Sequence, residues 1–348
     1  MNKLVIITQR IDEEDDLLGF FVDWIHEFAK HFEKVDVITL AHGRADLPSN
    51  VRVFSLGKEK GRLKIFWPFI FYWRLFQCLP KSSGVFTHMS PIFTIAVWPL
   101  TFIFRKKIVF WYLHRSITFK LKIAEKLCFK LVTASGESLK LKSDKIMETG
   151  HGINLEKYKV GKKFDQAKLR ILSVGRISKI KNFDILLKAV KILKEQGIGL
   201  EVKIVGRPVM PSDTEYLSYL KSLIDEFEIN DLVQFTGFIP HNRISDYYLD
   251  ADIVLGLTPD GGIDKTILEG MASGCLVLVS NNACKKYFGK YSDSLLFKYR
   301  DPEDLAKKII ELSNLSSNAK EEIISFLIKS VSENHELGKL INLISSLY

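Results

Sequence analysis

Residues 251–280 read ADIVLGLTPDGGIDKTILEGMASGCLVLVS. Ile253–Leu257 is a short apolar run rich in β-branched and aliphatic residues, which predicts a buried strand. Thr258–Asp264 carries the Pro, Asp and Gly residues of a loop, a helix is expected to open near Lys265, and Cys275–Ser280 is a second buried strand. A loop that leaves a strand and feeds a helix start suits phosphate binding, because unpaired backbone N–H groups and the positive end of the helix dipole meet there. Glu269 falls about one turn into this helix, where a carboxylate can accept two hydrogen bonds from a vicinal diol such as a ribose. A first-turn Glu favoured by the dipole is the plainer explanation of the same residue.

The chain around this stretch has 348 residues. That length suits two domains better than one core. With 47% hydrophobic and 26% charged residues the composition is that of a folded globular protein. Four cysteines (Cys78, Cys128, Cys275 and Cys284) show no metal-ligand spacing and are expected to be reduced, as in a cytoplasmic protein. The opening MNKLVIITQRIDEEDD reads as a first strand followed by acids, not as a signal peptide.

The net charge of +9 lies wholly in residues 1–160, which hold 25 Lys/Arg and 16 Asp/Glu. Lys58–Arg74, KEKGRLKIFWPFIFYWR, interleaves these cations with aromatics. That mixture suits the interface of an anionic membrane, although one buried helix face with a solvated edge would give the same string. Neither this run nor Pro91–Phe104 offers the roughly 20 uninterrupted apolar residues of a bilayer span. The expectation is peripheral attachment at the inner face of the membrane. Nucleic acid is not expected as a partner, because the aromatics form one apolar block rather than spaced stacking platforms.

In order, strands are predicted at Leu4–Thr8, Val35–Leu40, Val51–Leu56, Gly84–Thr87, Ile108–Leu113 and Leu131–Ala134, with helices between them. The polar stretch Leu155–Lys168 reads as a linker. A second strand–helix series begins at Leu169–Val174 and continues through Leu200–Val205 and Val233–Thr236. Residues 302–348 are expected to be helical. The domain boundaries read as 1–160 and 161–325, with 326–348 crossing back onto the first domain. The whole is α/β with parallel strands.

Three signals converge on the second series. Gly175-Arg176 ends one strand, Gly206 ends the next, and Lys181 lies near a helix start. A glycine lets the backbone approach a ligand closely, and Arg with Lys supplies two cations for a diphosphate. Together with Lys265 and Thr266 they collect at the carboxyl ends of one sheet, where open α/β sheets bind ligands. No G-x-G-x-x-G follows the first strand and no G-x-x-x-x-G-K-[ST] occurs, which argues against a dinucleotide dehydrogenase and a P-loop ATPase. No H-E-x-x-H metal signature is present. Asp250 and Asp252 have an Asp-x-Asp spacing, but Asp252 stands at the entrance to a buried strand and reads as a turn residue.

The runs SVGRISKIKNFDILLKAVKIL (173–193), VKIVGRP (202–208), FTGFIPHNRISDYYLDADIVLGLTP (235–259) and KTILEGMASGCLVLVS (265–280) resemble the donor domain of GT-B retaining glycosyltransferases, family four (glycosyl transferases group 1). The likeness is specific over about residues 150–285. It is looser before that, where HGIN (151–154) and the His of FWYLHR (110–115) are the best anchors. It implies two Rossmann-like domains facing each other across a cleft, and retaining transfer of a hexose from a UDP- or GDP-sugar without an obligate metal or other cofactor. The acceptor is expected to be a glycan or a lipid-linked acceptor in cell-surface polysaccharide or glycolipid synthesis.

By the same resemblance Arg176 and Lys181 neutralise the donor diphosphate, Gly175 and Gly206 border it, and the backbone at Lys265, Thr266 and Ile267 caps it. Glu269 holds the ribose, Ile239 flanks the base, and His114 contacts the donor sugar. The chain departs from the family at Gly261, where a first Glu is usual. Asp260 or Asp264 is then the candidate substitute acceptor, with Asp264 more simply a helix N-cap. In the first loop Asp12 or Asp16 is placed to orient or deprotonate an acceptor hydroxyl, Asp16 also being an N-cap candidate. The rival expectation is a non-catalytic GT-B protein that binds a nucleotide-sugar or a partner.

Overall fold

Strands that read as continuous apolar runs must be covered on both faces, and the computed structural model shows two sheets built that way. It describes residues 2–158, 160 and 168–348. Most of the stretch read as a linker, at positions 159 and 161–167, lies outside the described residues. The chain divides into two units. The first comprises 1–154 with 240–242 and 335–348, and the second comprises 155–239 with 243–334.

The first unit holds β1 (Lys3–Ile11), β2 (Lys34–His42), β3 (Val51–Ser55), β4 (Gly84–His88), β5 (Lys107–Trp111), β6 (Lys130–Thr133) and β7 (Ile146–Glu148). All pair in parallel, in the order β3-β2-β1-β4-β5-β6-β7. The chain leaves β1 toward β2 and β3, then returns to build β4 on the other side. The β1/β4 border is therefore the topological switch point, the place where a crevice opens beyond the carboxyl ends.

Alternate residues of these strands feed two cores. Leu4, Ile6, Val35 and Phe86 pack with helices Phe21–His31 and Leu337–Ser345 on one face. Val5, Ile7, Val85 and Phe110 pack with helices Trp67–Cys78, Pro91–Ile103 and Phe119–Leu127 on the other. Each fully buried Phe or Leu contributes about 1.5–3 kcal/mol over its exposed state.

The first loop corrects one expectation. Asp16 does not cap the following helix, which starts at Phe21 with no side-chain cap. Asp15 takes the local backbone instead, accepting from Leu17 N (3.0 Å) and Leu18 N (2.8 Å).

The second unit holds β8 (Leu169–Val174), β9 (Leu200–Val205), β10 (Val233–Gly237), β11 (Ile253–Gly256) and β12 (Leu276–Val279), in the order β10-β9-β8-β11-β12, again all parallel. Here the switch point lies between β8 and β11. Helix Lys265–Ala272, which links β11 to β12, lies close against the sheet because it and β11 carry glycines at the contact. A Cβ on Gly270 would meet Val254 at 2.9 Å, and one on Gly256 would meet Ile267 at 2.8 Å. At the opposite end of the sheet Asp252 is buried and accepts from Arg170 N, Nε and Nη2, while Asp250 pairs with Lys203 at 2.6 Å. The Asp-x-Asp spacing thus serves the sheet. All four cysteines are buried and unbridged.

Candidate functional site

The second unit's switch point is where most of the singled-out residues meet. Gly175, directly after β8, has φ +153°, and a Cβ there would lie 3.0 Å from the Lys181 side chain. Gly206, directly after β9, has φ +144°, and its Cβ would fall 2.0 Å from the Gly175 carbonyl oxygen. Both positions need glycine, for backbone conformation and for room. Gly206 N donates to the Gly237 carbonyl (2.9 Å) and Gly175 N to the Val205 carbonyl (2.9 Å), so the carboxyl ends of β8, β9 and β10 are knitted together. Ile239 follows two residues beyond Gly237, and the Arg207 guanidinium stacks on neighbouring Phe238 at 5.1 Å.

Lys181 reaches across the switch point. Its ammonium stands 2.9 Å from the Asp264 carboxylate, which also accepts from Thr258 Oγ1 at 3.0 Å. Asp264 occupies the N-cap position of helix Lys265–Ala272, yet its side chain makes no capping bond. The expected capping role is replaced by this ion pair. The helix start, with Lys265, Thr266 and Ile267, is thereby joined to the loop after β8. Asn182, in left-handed conformation at φ +47°, makes a second tie by donating to the Leu257 carbonyl at 2.8 Å. Arg176, two-fifths exposed, has its Nε 3.6 Å from the Asp213 carboxylate.

Glu269 is buried, and Tyr248 donates to its Oε2 at 2.9 Å. Burial, and then the neighbouring Glu269 charge, push the Tyr248 hydroxyl well above its ordinary pKa, so it remains a donor. The loop ahead of the helix is pinned from β12. Asp260 accepts from Asn282 N (2.7 Å) and Nδ2 (3.1 Å), and Gly261 N donates to Asn281 Oδ1 at 3.3 Å. The two acids considered as substitutes for the missing Glu are thus both engaged, Asp260 by Asn282 and Asp264 by Lys181.

His114 and Asp16 belong to the first unit. His114 is exposed three residues past β5, its Nδ1 accepting from Ser116 N at 3.0 Å. Asp16 is half-buried in the loop after β1. Both lie on the carboxyl side of that sheet.

Sequence reasoning missed several participants. Asn182, Asp213, Tyr248 and Thr258 hold the second unit's site together. An Asn directly before a helix start, as in KIKNFD, reads first as an extended N-cap; Asn182 is instead left-handed, a conformation Asn tolerates, and makes no capping bond. The others act over distance and leave no local mark. In the first unit His88 was passed over. It ends β4 at the switch point, fully buried, bonded to Thr8 Oγ1 at 3.2 Å and stacked on Phe21 at 3.9 Å.

These two units define an α/β chain of paired Rossmann-like sheets, and solved structures share that fold over the whole length. A sucrose-phosphate synthase from Thermosynechococcus elongatus superposes with a TM-score of 0.79 at 16% identity, covering 100% of this chain and 98% of that one. Anabaena Alr3699/HepE, described in complex with UDP and glucose, superposes with a TM-score of 0.76 at 16% identity, covering 100% and 99%. The fold is that of GT-B glycosyltransferase structures.

Residues 155–325 match the family model described as glycosyl transferases group 1. Among curated proteins, the amylovoran biosynthesis glycosyltransferase AmsK of Erwinia amylovora is 36% identical over 149 residues, 40% of this chain and 35% of that protein. The alpha-monoglucosyldiacylglycerol synthase of Streptococcus pneumoniae is 30% identical over 175 residues, 49% and 37%. The chain spans little more than a third of the length of these relatives.

Proposed function

We propose that this protein is a retaining glycosyltransferase that binds a nucleotide-diphosphate sugar, UDP- or GDP-linked, at the carboxyl end of the second unit's sheet. The observation that carries the reading is the meeting of Gly175, Gly206, Lys181 and the start of helix Lys265–Ala272 across the β8/β11 switch point. The glycines let the strand ends and Lys181 close together, so that a cation stands beside a helix N-terminus with its dipole; a diphosphate calls for both.

In the reaction the acceptor hydroxyl forms a bond to the sugar's anomeric carbon and gives up its proton to the Asp16 carboxylate. The bond from that carbon to the diphosphate breaks, and the diphosphate leaves with the electron pair. Lys181, Arg176 and the N–H groups of Lys265 and Thr266 stabilise the departing charge in the way a metal ion does in other enzymes, the Ile267 N–H being taken by the Asp264 carbonyl at 3.1 Å. Glu269 holds the ribose, with Tyr248 fixing one carboxylate oxygen. Ile239 borders the base. His114 acts on the donor sugar and Asp16 on the acceptor hydroxyl. The acceptor is a glycan or a lipid-linked molecule in surface polysaccharide or glycolipid synthesis. The support for this lies in the named relatives, one a glycosyltransferase of amylovoran biosynthesis and one an alpha-monoglucosyldiacylglycerol synthase.

A second reading is a protein that binds the nucleotide-sugar without transferring it. It is favoured by Gly261 and by the engagement of both Asp260 and Asp264, which leaves the sugar hydroxyls without an evident carboxylate in this loop. The experiment is thermal stabilisation by a panel of UDP-, GDP- and ADP-sugars, followed by donor hydrolysis and transfer for each hit. Stabilisation by one series with turnover supports the transferase. Stabilisation without turnover, even with lipid-linked acceptors supplied, moves the reading to the binding protein.

A further inference from the structure

Among the described residues the first unit carries a large exposed apolar surface. Helix Trp67–Cys78 has two stripes. Phe71, Leu75 and Cys78 face the core, while Phe69, Tyr72, Trp73 and Phe76, at the i, i+3, i+4, i+7 spacing, face outward. Helix Pro91–Ile103 repeats the arrangement, with Phe93, Thr94, Val97 and Thr101 inward and Ile92, Trp98, Phe102 and Ile103 outward. The two helices are neighbours: Tyr72 Oη donates to the Ala96 carbonyl at 3.0 Å, and Phe76 meets Phe104 edge-on at 5.9 Å. Exposure is extreme for such residues, at 73% for Phe69, 63% for Trp73, 70% for Phe102 and 67% for Ile103, with Phe119 at 77% on the next helix. Contiguous apolar surface of this kind marks an interaction site.

The charge around it selects the occupant. Residues 58–124 hold twelve Lys/Arg and a single acid, Glu59. Lys58, Lys60, Arg62 and Lys64 are exposed before the first helix, and Arg105 and Lys107 are exposed directly after the second. Protein interfaces are depleted in lysine, whereas aromatics among lysines and arginines match the headgroup layer of an anionic bilayer. No helix among the described residues is long and apolar enough to cross a membrane. We infer that helices Trp67–Cys78 and Pro91–Ile103 lie in the interface of an anionic membrane. Phe69, Trp73, Phe76, Phe102 and Ile103 enter the acyl boundary, and the flanking cations pair with lipid phosphates. The inference is independent of the chemistry proposed for the second unit.

The test is co-sedimentation of the full chain with vesicles of phosphatidylcholine alone and of phosphatidylcholine with phosphatidylglycerol. The variants are Phe69→Ser/Trp73→Ser, Phe102→Ser/Ile103→Ser and Lys58→Glu/Lys64→Glu, each checked for an unchanged melting temperature and for oligomeric state without lipid. The expected result is binding to the anionic vesicles only, weakened at least about tenfold by either apolar double variant. Each lost cation is expected to weaken it by about fivefold. Binding that ignores these variants, or no binding to anionic vesicles, overturns the inference. So does a lipid-free dimer that the apolar variants dissociate, because the patch is then a protein interface.

Discussion

The ammonium of Lys181 and the carboxylate of Asp264, 2.9 Å apart, join the loop after β8 to the loop after β11 across the second unit's switch point. This pair stands where the diphosphate is proposed to bind. The two anions compete for one cation, and their competition gives the first prediction. Asp264→Asn is expected to tighten nucleoside diphosphate binding by roughly tenfold, since about 1.4 kcal/mol of released attraction suffices. Lys181→Ala is expected to weaken binding and to lower turnover by about 10²–10³. Titration calorimetry on the two variants reads both signs. Weaker binding in Asp264→Asn would mean that the carboxylate positions Lys181 instead of competing for it.

Gly206 is expected to tolerate no side chain. At φ +144° and with the Gly175 carbonyl oxygen 2.0 Å from its Cβ position, Gly206→Ala forces β8 and β9 apart at their carboxyl ends. The expected cost is above about 2 kcal/mol, together with loss of nucleotide binding. Gly197→Ala is the control: φ is +72° with open space around it, and the expected cost is about 1 kcal/mol, from strain alone. Urea unfolding midpoints compare the two.

Tyr248 and Glu269 are expected to divide between stability and binding. Tyr248→Phe leaves a buried carboxylate short of a donor and costs about 1–3 kcal/mol. Glu269→Gln is expected to bring ribonucleoside and 2′-deoxyribonucleoside diphosphates closer in affinity, because a carboxylate that accepts from the diol is gone. Retention of full discrimination in Glu269→Gln removes the ribose role.

In the first unit Asp36 gives a pH dependence with a definite sign. Burial alone would raise its pKa, but the hydrogen bonds from Arg52 (2.8 Å) and Lys3 outweigh it and hold the carboxyl below its ordinary range. A folded-state pKa below the unfolded value stabilises the protein above about pH 4, and that stability is lost as pH falls through the folded pKa. Asp36→Asn is expected to cost about 3 kcal/mol at pH 7, because it leaves the buried Lys3 without its counter-charge. The gap to wild type should close as the pH drops below about 4. Melting temperatures of both proteins from pH 7 to pH 3 measure it.

Much of the fold was legible because buried parallel strands write themselves as apolar runs. Ile253–Gly256 and Leu276–Val279 lie inside the stretches expected, and the first runs into a glycine-bearing loop. The three-residue β7, Ile146–Glu148, escaped notice because IME has no run to read. Helix Trp67–Cys78 is apolar on both faces, so periodicity left open which stripe is buried; only packing against the sheet decides it. At the site, glycine-ended strands and basic residues were visible as local patterns. The partners were not: Lys181 finds Asp264 83 residues on, and Asn182 finds Leu257 75 residues on. Local propensity assigned Asp264 to a cap and Asp16 to a helix start, and in both cases a long-range or neighbouring acceptor arrangement prevailed. Tyr248, which donates to Glu269, sits on a helix whose sequence marks it only as a core aromatic.

The central claim is that the β8/β11 switch point holds a nucleoside diphosphate. Its most direct test is the equilibrium affinity of the wild-type chain and of Lys181→Ala for UDP against UMP and for GDP against GMP. The account predicts that one diphosphate binds at least about tenfold more tightly than its monophosphate, and that this advantage disappears in Lys181→Ala. Equal affinity for mono- and diphosphate in the wild type, or a diphosphate preference that survives in Lys181→Ala, would contradict it.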